Sequence, residues 1–137
     1  MRSLLLRFAA GIMLTALAIA SRLLPHQANF TAVGAVALVA ASYLGWRWGV
    51  AVAFGAMAVS DLIIGGYDGA VMAAVYGSFA AMAWLGAWIT RGGNVRWERA
   101  ALASLGGSTV FYLVTNYAVW QFTTLYPKTA SGLLASY

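Results

Sequence analysis

The stretch Trp46-Arg47-Trp48-Gly49-Val50-Ala51-Val52-Ala53-Phe54-Gly55-Ala56-Met57-Ala58-Val59-Ser60-Asp61-Leu62-Ile63-Ile64-Gly65-Gly66 decides the fold. From Trp48 to Gly66 it is apolar throughout except for Ser60 and a single charge, Asp61. At about 1.5 Å of rise per residue such a run, made helical, crosses a hydrocarbon core of about 30 Å. It reads as a transmembrane helix with one intramembrane acid.

Working outward, Arg47 alone separates this run from an earlier one, Phe30 to Trp46, so the two form a tight hairpin. The earlier run is only just long enough to span, and a helix that dips in and returns is the alternative. Before it lies Leu4 to Leu24, ended by Pro25, which cannot continue a helix without losing a backbone hydrogen bond. Arg2, Arg7 and the triplet Ala18-Ile19-Ala20 give this first run the look of a secretory signal. Because the chain carries it together with Met1, it is expected to stay as the first transmembrane helix.

On the other side, the Gly65 to Gly69 turn leads into a run from Ala70 to Thr90. The polar loop from Arg91 to Arg99 follows, then a fifth run from Ala100 to Phe122. Beyond Tyr126-Pro127-Lys128, the tail Gly132 to Tyr137 is too short to cross and either begins a sixth helix or lies at the interface. The expectation is one all-α domain over residues 1–137, an integral membrane bundle of five transmembrane helices plus that short C-terminal segment.

Composition agrees. The chain is 63% hydrophobic and 8% charged, against roughly 25% charged in a soluble domain. Its net charge of +5 comes from arginines at the ends of apolar runs, with no basic stripe interleaved with aromatics, so nucleic acid is not an expected partner. There is no cysteine, hence no disulfide and no thiolate chemistry. With a single histidine, a transition-metal site lacks ligands. Axial ligation of a haem or pigment by His26 would need an apolar slot, whereas Pro25 and Gln27 argue for a loop. Gly92-Gly93 is a turn rather than a phosphate loop, since no Gly-Lys-Ser/Thr follows. No nucleophile–base pair or paired carboxylate stands out, so the expectation is a protein that is not an enzyme and needs no cofactor.

Lys and Arg are retained on the cytoplasmic side of a bilayer. With the N-terminus inside and five crossings, Arg2, Arg7, Arg47, Arg91, Arg96 and Arg99 fall inside, and Arg22 and Lys128 outside. Trp46, Trp48, Trp88 and Trp97 then lie at the inner interface, where indoles are favoured. A multi-pass protein of a bacterial cytoplasmic membrane is expected. Small pairs at four-residue spacing, Ala16/Ala20, Ala51/Gly55, Gly77/Ala81 and Ala103/Gly107, allow close helix packing, although in an alanine-rich chain no single pair identifies an interface.

An ionisable residue inside a span is a functional candidate by default. Asp61 should sit about 7 Å below the outer end of its helix. Arg22, His26 and Asn29 at the end of the first span, Tyr76 in the fourth, and Asn116 and Trp120 in the fifth share its outer side. Two readings follow: an outward-facing pocket lined by Asp61, Asn116, Tyr76 and the His26 to Phe30 loop, or an Arg22–Asp61 pair with Asn116 and Tyr76 holding helices together.

The segments Ser21-Arg22-Leu23-Leu24-Pro25-His26-Gln27-Ala28-Asn29-Phe30-Thr31-Ala32-Val33-Gly34-Ala35, Ser60-Asp61, Tyr76-Gly77-Ser78-Phe79, Thr115-Asn116 with Trp120, and Leu125-Tyr126-Pro127-Lys128-Thr129 with Gly132-Leu133 resemble a family of uncharacterised bacterial membrane proteins. That family is similar in layout to the substrate-binding S components of energy-coupling-factor vitamin transporters. The resemblance implies a six-helix bundle with a solute pocket near the outer face, and as pocket residues Arg22, His26, Asn29, Asp61, Asn116, Trp120 and Lys128. It also implies a sixth span continuing past Tyr137, so that either the sequence is incomplete or a partner subunit finishes the bundle. The function expected is binding of a small, vitamin-like solute for an uptake transporter. The competing class is a non-catalytic accessory subunit of a photosynthetic or respiratory complex. A channel would want polar residues in both halves, and the inner half lacks them.

Overall fold

The computed structural model describes residues 2–25, 32–92 and 94–137, with side chains from residue 4 onward. The described residues form six helices: α1 Arg2–Leu23, α2 Val33–Leu44, α3 Trp46–Ile64, α4 Gly69–Ile89, α5 Trp97–Phe122 and α6 Ala130–Ser136. Glycine makes two of the turns, since Gly45 between α2 and α3 and Gly65 after α3 have φ of 101° and 105°, where a side chain would strain the backbone. The start of α4 is fixed by Asp68, whose carboxylate accepts from the backbone N–H of Ala70 (2.9 Å) and Val71 (3.1 Å).

Three helices, not five, are long and apolar enough to cross a membrane: α1 over Leu4–Leu23, α3 and α4. The expectation fails at two helices for different reasons. Helix α2 begins at Val33 rather than Phe30 and has 12 residues, a length of about 18 Å against a core of about 30 Å. Helix α5 has 26 residues, ample length, but starts one turn early at Trp97-Glu98-Arg99. Gly106-Gly107-Ser108-Thr109 and Thr115-Asn116-Tyr117 then dilute its apolar character. The tail does form a helix, the seven-residue α6 capped by the Thr129 hydroxyl.

Helices α2, α3 and α4 pack mutually, α1 lies on α3 and α2, and α5 lies on α4 with slight contact to α2; α6 touches only α5. All five longer helices alternate in direction, so one end of the bundle gathers Arg7, Arg47, Arg91, Arg96 and Arg99, and the other gathers Arg22, Asp61, Tyr67 and Asn116. We call these the arginine-rich end and the polar end.

At the arginine-rich end the three central helices touch almost backbone to backbone. A Cβ on Gly49 would lie 2.6 Å from Ala41 Cβ and 2.9 Å from the Ala37 carbonyl, and one on Gly86 would lie 2.5 Å from the Leu38 carbonyl. Buried Ala37, Ala41, Ala53 and Ala83 complete the contact. The Ser42 hydroxyl shares its hydrogen between the carbonyls of Leu38 (2.8 Å) and Gly86 (2.9 Å), joining α2 to α4. Of the small-residue pairs singled out in the sequence, Ala103/Gly107 is buried, whereas Ala16, Ala20, Ala51, Gly77 and Ala81 are exposed.

Apolar side chains on the outside are as telling as those inside. In α1 only 11% of the spanning window is buried, and Leu5, Leu6, Ile12 and Met13 are each about two-thirds exposed. Water would drive such a face into a core; a hydrocarbon solvent leaves it where it is.

Candidate functional site

Asp61 lies in the last turn of α3, where its backbone carbonyl accepts from Gly65 N–H (2.9 Å). Its helix ends at Ile64, so Asp61 is nearer the helix end than the sequence suggested. Its side chain is 7% exposed. A lone carboxylate so placed is expensive, and three neighbours answer it. Arg22, near the end of α1, brings Nη1 to 2.7 Å from Asp61 Oδ1. The Tyr76 hydroxyl of α4 donates to Oδ2 at 3.1 Å. Ser60, fully buried beside Asp61, accepts from Arg22 Nη1 at 2.6 Å and passes its own hydrogen to the Ala56 carbonyl, also 2.6 Å away.

The hydrogens of Arg22 Nη1 are directed at Ser60 and at Met57, whose sulfur is 3.0 Å away. Asp61 Oδ1 therefore has the guanidinium charge beside it but no directed hydrogen bond. On Arg22, Nη1 carries every side-chain bond to the described residues, leaving Nε and Nη2 unmatched there. These donors belong to a residue that lines a cavity of about 930 Å³.

That cavity lies at the polar end between α1, α2, α3, α4 and α5. Its apolar wall includes Met57, Val71, Phe79, Met82 and Phe111. Polar groups come from Arg22, Tyr67, Ser108, Tyr112, Thr115 and Asn116. Gly34, the second residue of α2, lets the Met82 side chain of this wall close against α2: a Cβ there would meet the Met82 sulfur at 2.9 Å. Phe79 and Phe111 stack in a tilted pair at 4.9 Å, bracing α4 against α5. Tyr67, in the loop after α3, has its hydroxyl pKa raised above 10.0, first by burial and then by the Asp61 charge, with Arg22 opposing.

The residues expected at the site thus separate into groups. Arg22 and Asn116 line the cavity, and the Asn116 amide donates to the Tyr112 carbonyl of its own helix at 2.9 Å rather than to a neighbouring one. Asp61 and Tyr76 stand behind Arg22, outside the lining, where they hold it. Trp120 and Lys128 are also outside the lining and lock the turn after α5. There Trp120 Nε1 donates to the Pro127 carbonyl (3.0 Å), and Lys128 donates to the carbonyls of Thr123 (2.7 Å) and Trp120. His26 and Asn29 lie outside the described residues. Sequence reasoning passed over Ser60, Tyr67 and Thr115; the first and last were visible only as neighbours of Asp61 and Asn116.

Chemically, the arrangement is a half-apolar chamber with one guanidinium edge, an amide and hydroxyls. No curated protein and no solved structure matches the chain. The model of a family of unknown function, DUF6580, matches residues 2–137, and in keeping with the uncharacterised family that its motifs resemble, the chain belongs to that family.

Proposed function

We propose that this protein is a membrane-embedded solute-binding subunit of an uptake system, taking a small, vitamin-like organic solute into the cavity at its polar end. In this reading the arginine-rich end is cytoplasmic, as the positive-inside rule requires, and the cavity faces outward. Helices α2 and α5 pack against the three long apolar helices α1, α3 and α4 within one bundle. The likeness in layout to transporter S components belongs to the same reading.

The observation that carries it is the cavity of about 930 Å³, within the range of about 300–1,000 Å³ typical of ligand sites, with Arg22 donors unmatched by described residues. Such donors favour a solute bearing a carboxylate or carbonyl among apolar parts. An accessory subunit of a larger complex is favoured by one feature, the exposed apolar face of α1, but that face serves a transporter partner or lipid equally well.

The test is native mass spectrometry of protein extracted from its own membrane, comparing wild type with Asn116→Leu. Among the described residues Asn116 bonds only within its own helix, so the variant should fold. A small molecule retained by wild type and lost from the variant supports solute binding. Stoichiometric co-purifying subunits with no retained solute would make this an accessory subunit.

A further inference from the structure

At the opposite end, Trp46, Trp84, Ala87, Trp88 and Arg91 enclose a recess of about 500 Å³. Trp46 and Trp84 are 52% and 65% exposed, far more than indoles in a folded core. None of the three indole N–H groups donates to a described residue, whereas the Trp120 indole does.

The charges around this recess are arranged unequally. Arg99 donates to the carbonyls of Arg91 (2.7 Å) and Trp88 (3.4 Å), and its guanidinium stacks on the Trp88 ring at 5.3 Å. This holds the backbone at the mouth and consumes Arg99. Arg96 stands near Glu98, at 4.0 Å. The side chain of Arg91, by contrast, has no partner among the described residues, and Arg47 only stacks on Trp46, at 5.7 Å. Trp46 of the recess is the first residue of α3, which follows Gly45 without any side-chain cap. An uncapped helix N-terminus with Arg47 in its first turn, and Arg91 lining the same recess as Trp46, favours an anion. The exposed indoles beside it favour an apolar chain with oxygen acceptors at one end.

From this we infer that the Trp46/Trp84/Trp88 recess holds one anionic phospholipid, its phosphate between Arg91 and Arg47 and its acyl chain along Trp84 and Ala87. The inference rests on membrane embedding but not on solute uptake. Lipid bound here bridges α3 and α4 at the end where they are already closest.

The indoles report directly on the site. The full chain is placed in phosphatidylcholine vesicles containing, at equal mole fraction, bromine-labelled phosphatidylglycerol or bromine-labelled phosphatidylcholine, and tryptophan quenching is compared. Excess quenching by the anionic lipid is expected, reduced but not abolished in Trp84→Phe because Trp46 and Trp88 still line the recess, and weakened about fivefold in lipid affinity by each of Arg91→Gln and Arg47→Gln. Arg96→Gln should leave the excess unchanged, and added inorganic phosphate should not reverse it. Equal quenching by the two lipids, equal loss in Arg96→Gln, or reversal by free phosphate would each overturn the assignment.

Discussion

The two ends of the bundle join the same helices by opposite means. At the arginine-rich end, α2, α3 and α4 meet through Gly49, Gly86 and a layer of alanines, so closely that no side chain fits between them. At the polar end they surround a cavity, and among the described residues the polar tie there across α1, α3 and α4 is a cluster built on buried Ser60 and Asp61 with half-buried Arg22 and Tyr76. The difference teaches how a small bundle can be both firm and hollow. Backbone contact closes one end by dispersion, which leaves no room between the helices themselves; charge pairing closes the other at a distance, leaving space beside it.

The contrast breaks most severely at Asp61. Replacing it by Leu leaves the half-buried Arg22 guanidinium without its counter-charge, at an expected loss of about 2–3 kcal/mol of stability. Combining Asp61→Leu with Arg22→Met should restore most of that loss, because both charges are then gone. Thermal unfolding of the two variants in detergent measures it; a double variant no better than the single would show that the pair does not act as a unit.

A smaller effect sharpens the other side. Gly86→Leu must push α4 from α2 and should cost about 1–3 kcal/mol, whereas Gly77→Leu on the same helix, with nothing within 4 Å of its added Cβ, should be tolerated. Unfolding midpoints of the two, side by side, decide whether backbone approach is confined to the arginine-rich end. Equal tolerance would remove the contrast.

The smallest expected effect tests whether charges at the arginine-rich end hold the fold at all. Glu98→Gln removes an acid whose partner Arg96 is 4.0 Å away, both more than half exposed, and stability should move by no more than about 0.5 kcal/mol. A shift as large as that of Asp61→Leu would mean that this end, too, depends on ion pairing.

Helix positions were legible because each is announced locally. Pro25 and the Gly65 to Gly69 turn punctuate apolar runs, and the ends of α3 and α4 fall within two residues of where hydropathy puts them, whereas the break between α2 and α3 falls at Gly45 and not at Arg47, which lies inside α3. The count of spans was less legible, since the 12 residues of α2 and the polar stretches of α5 are weighed by their neighbours as much as by their own composition. At the site, Arg22, Asp61 and Tyr76 were found by depth alone, and both readings offered for them contain part of the arrangement: Arg22 and Asp61 do pair, and a cavity does lie beside them. Trp120 and Lys128 share that depth yet serve a turn, because depth says nothing about which way a helix faces its neighbours.

By itself, then, the sequence determined the all-helical character, the segregation of arginines to one end and the gathering of polar groups at the other. All three follow from hydropathy and charge read along a single helix. Only the tertiary structure decided that Gly49 and Gly86, rather than Gly55 and Gly77, are the points of closest approach. It likewise decided that Asp61 presents one oxygen to Tyr76 and the other to a guanidinium 39 residues earlier in the chain, and that a cavity opens beside them. The physical reason is rotation about the helix axis: a shift of one residue turns a side chain by about 100° at almost unchanged depth, and only packing against the other helices selects the angle.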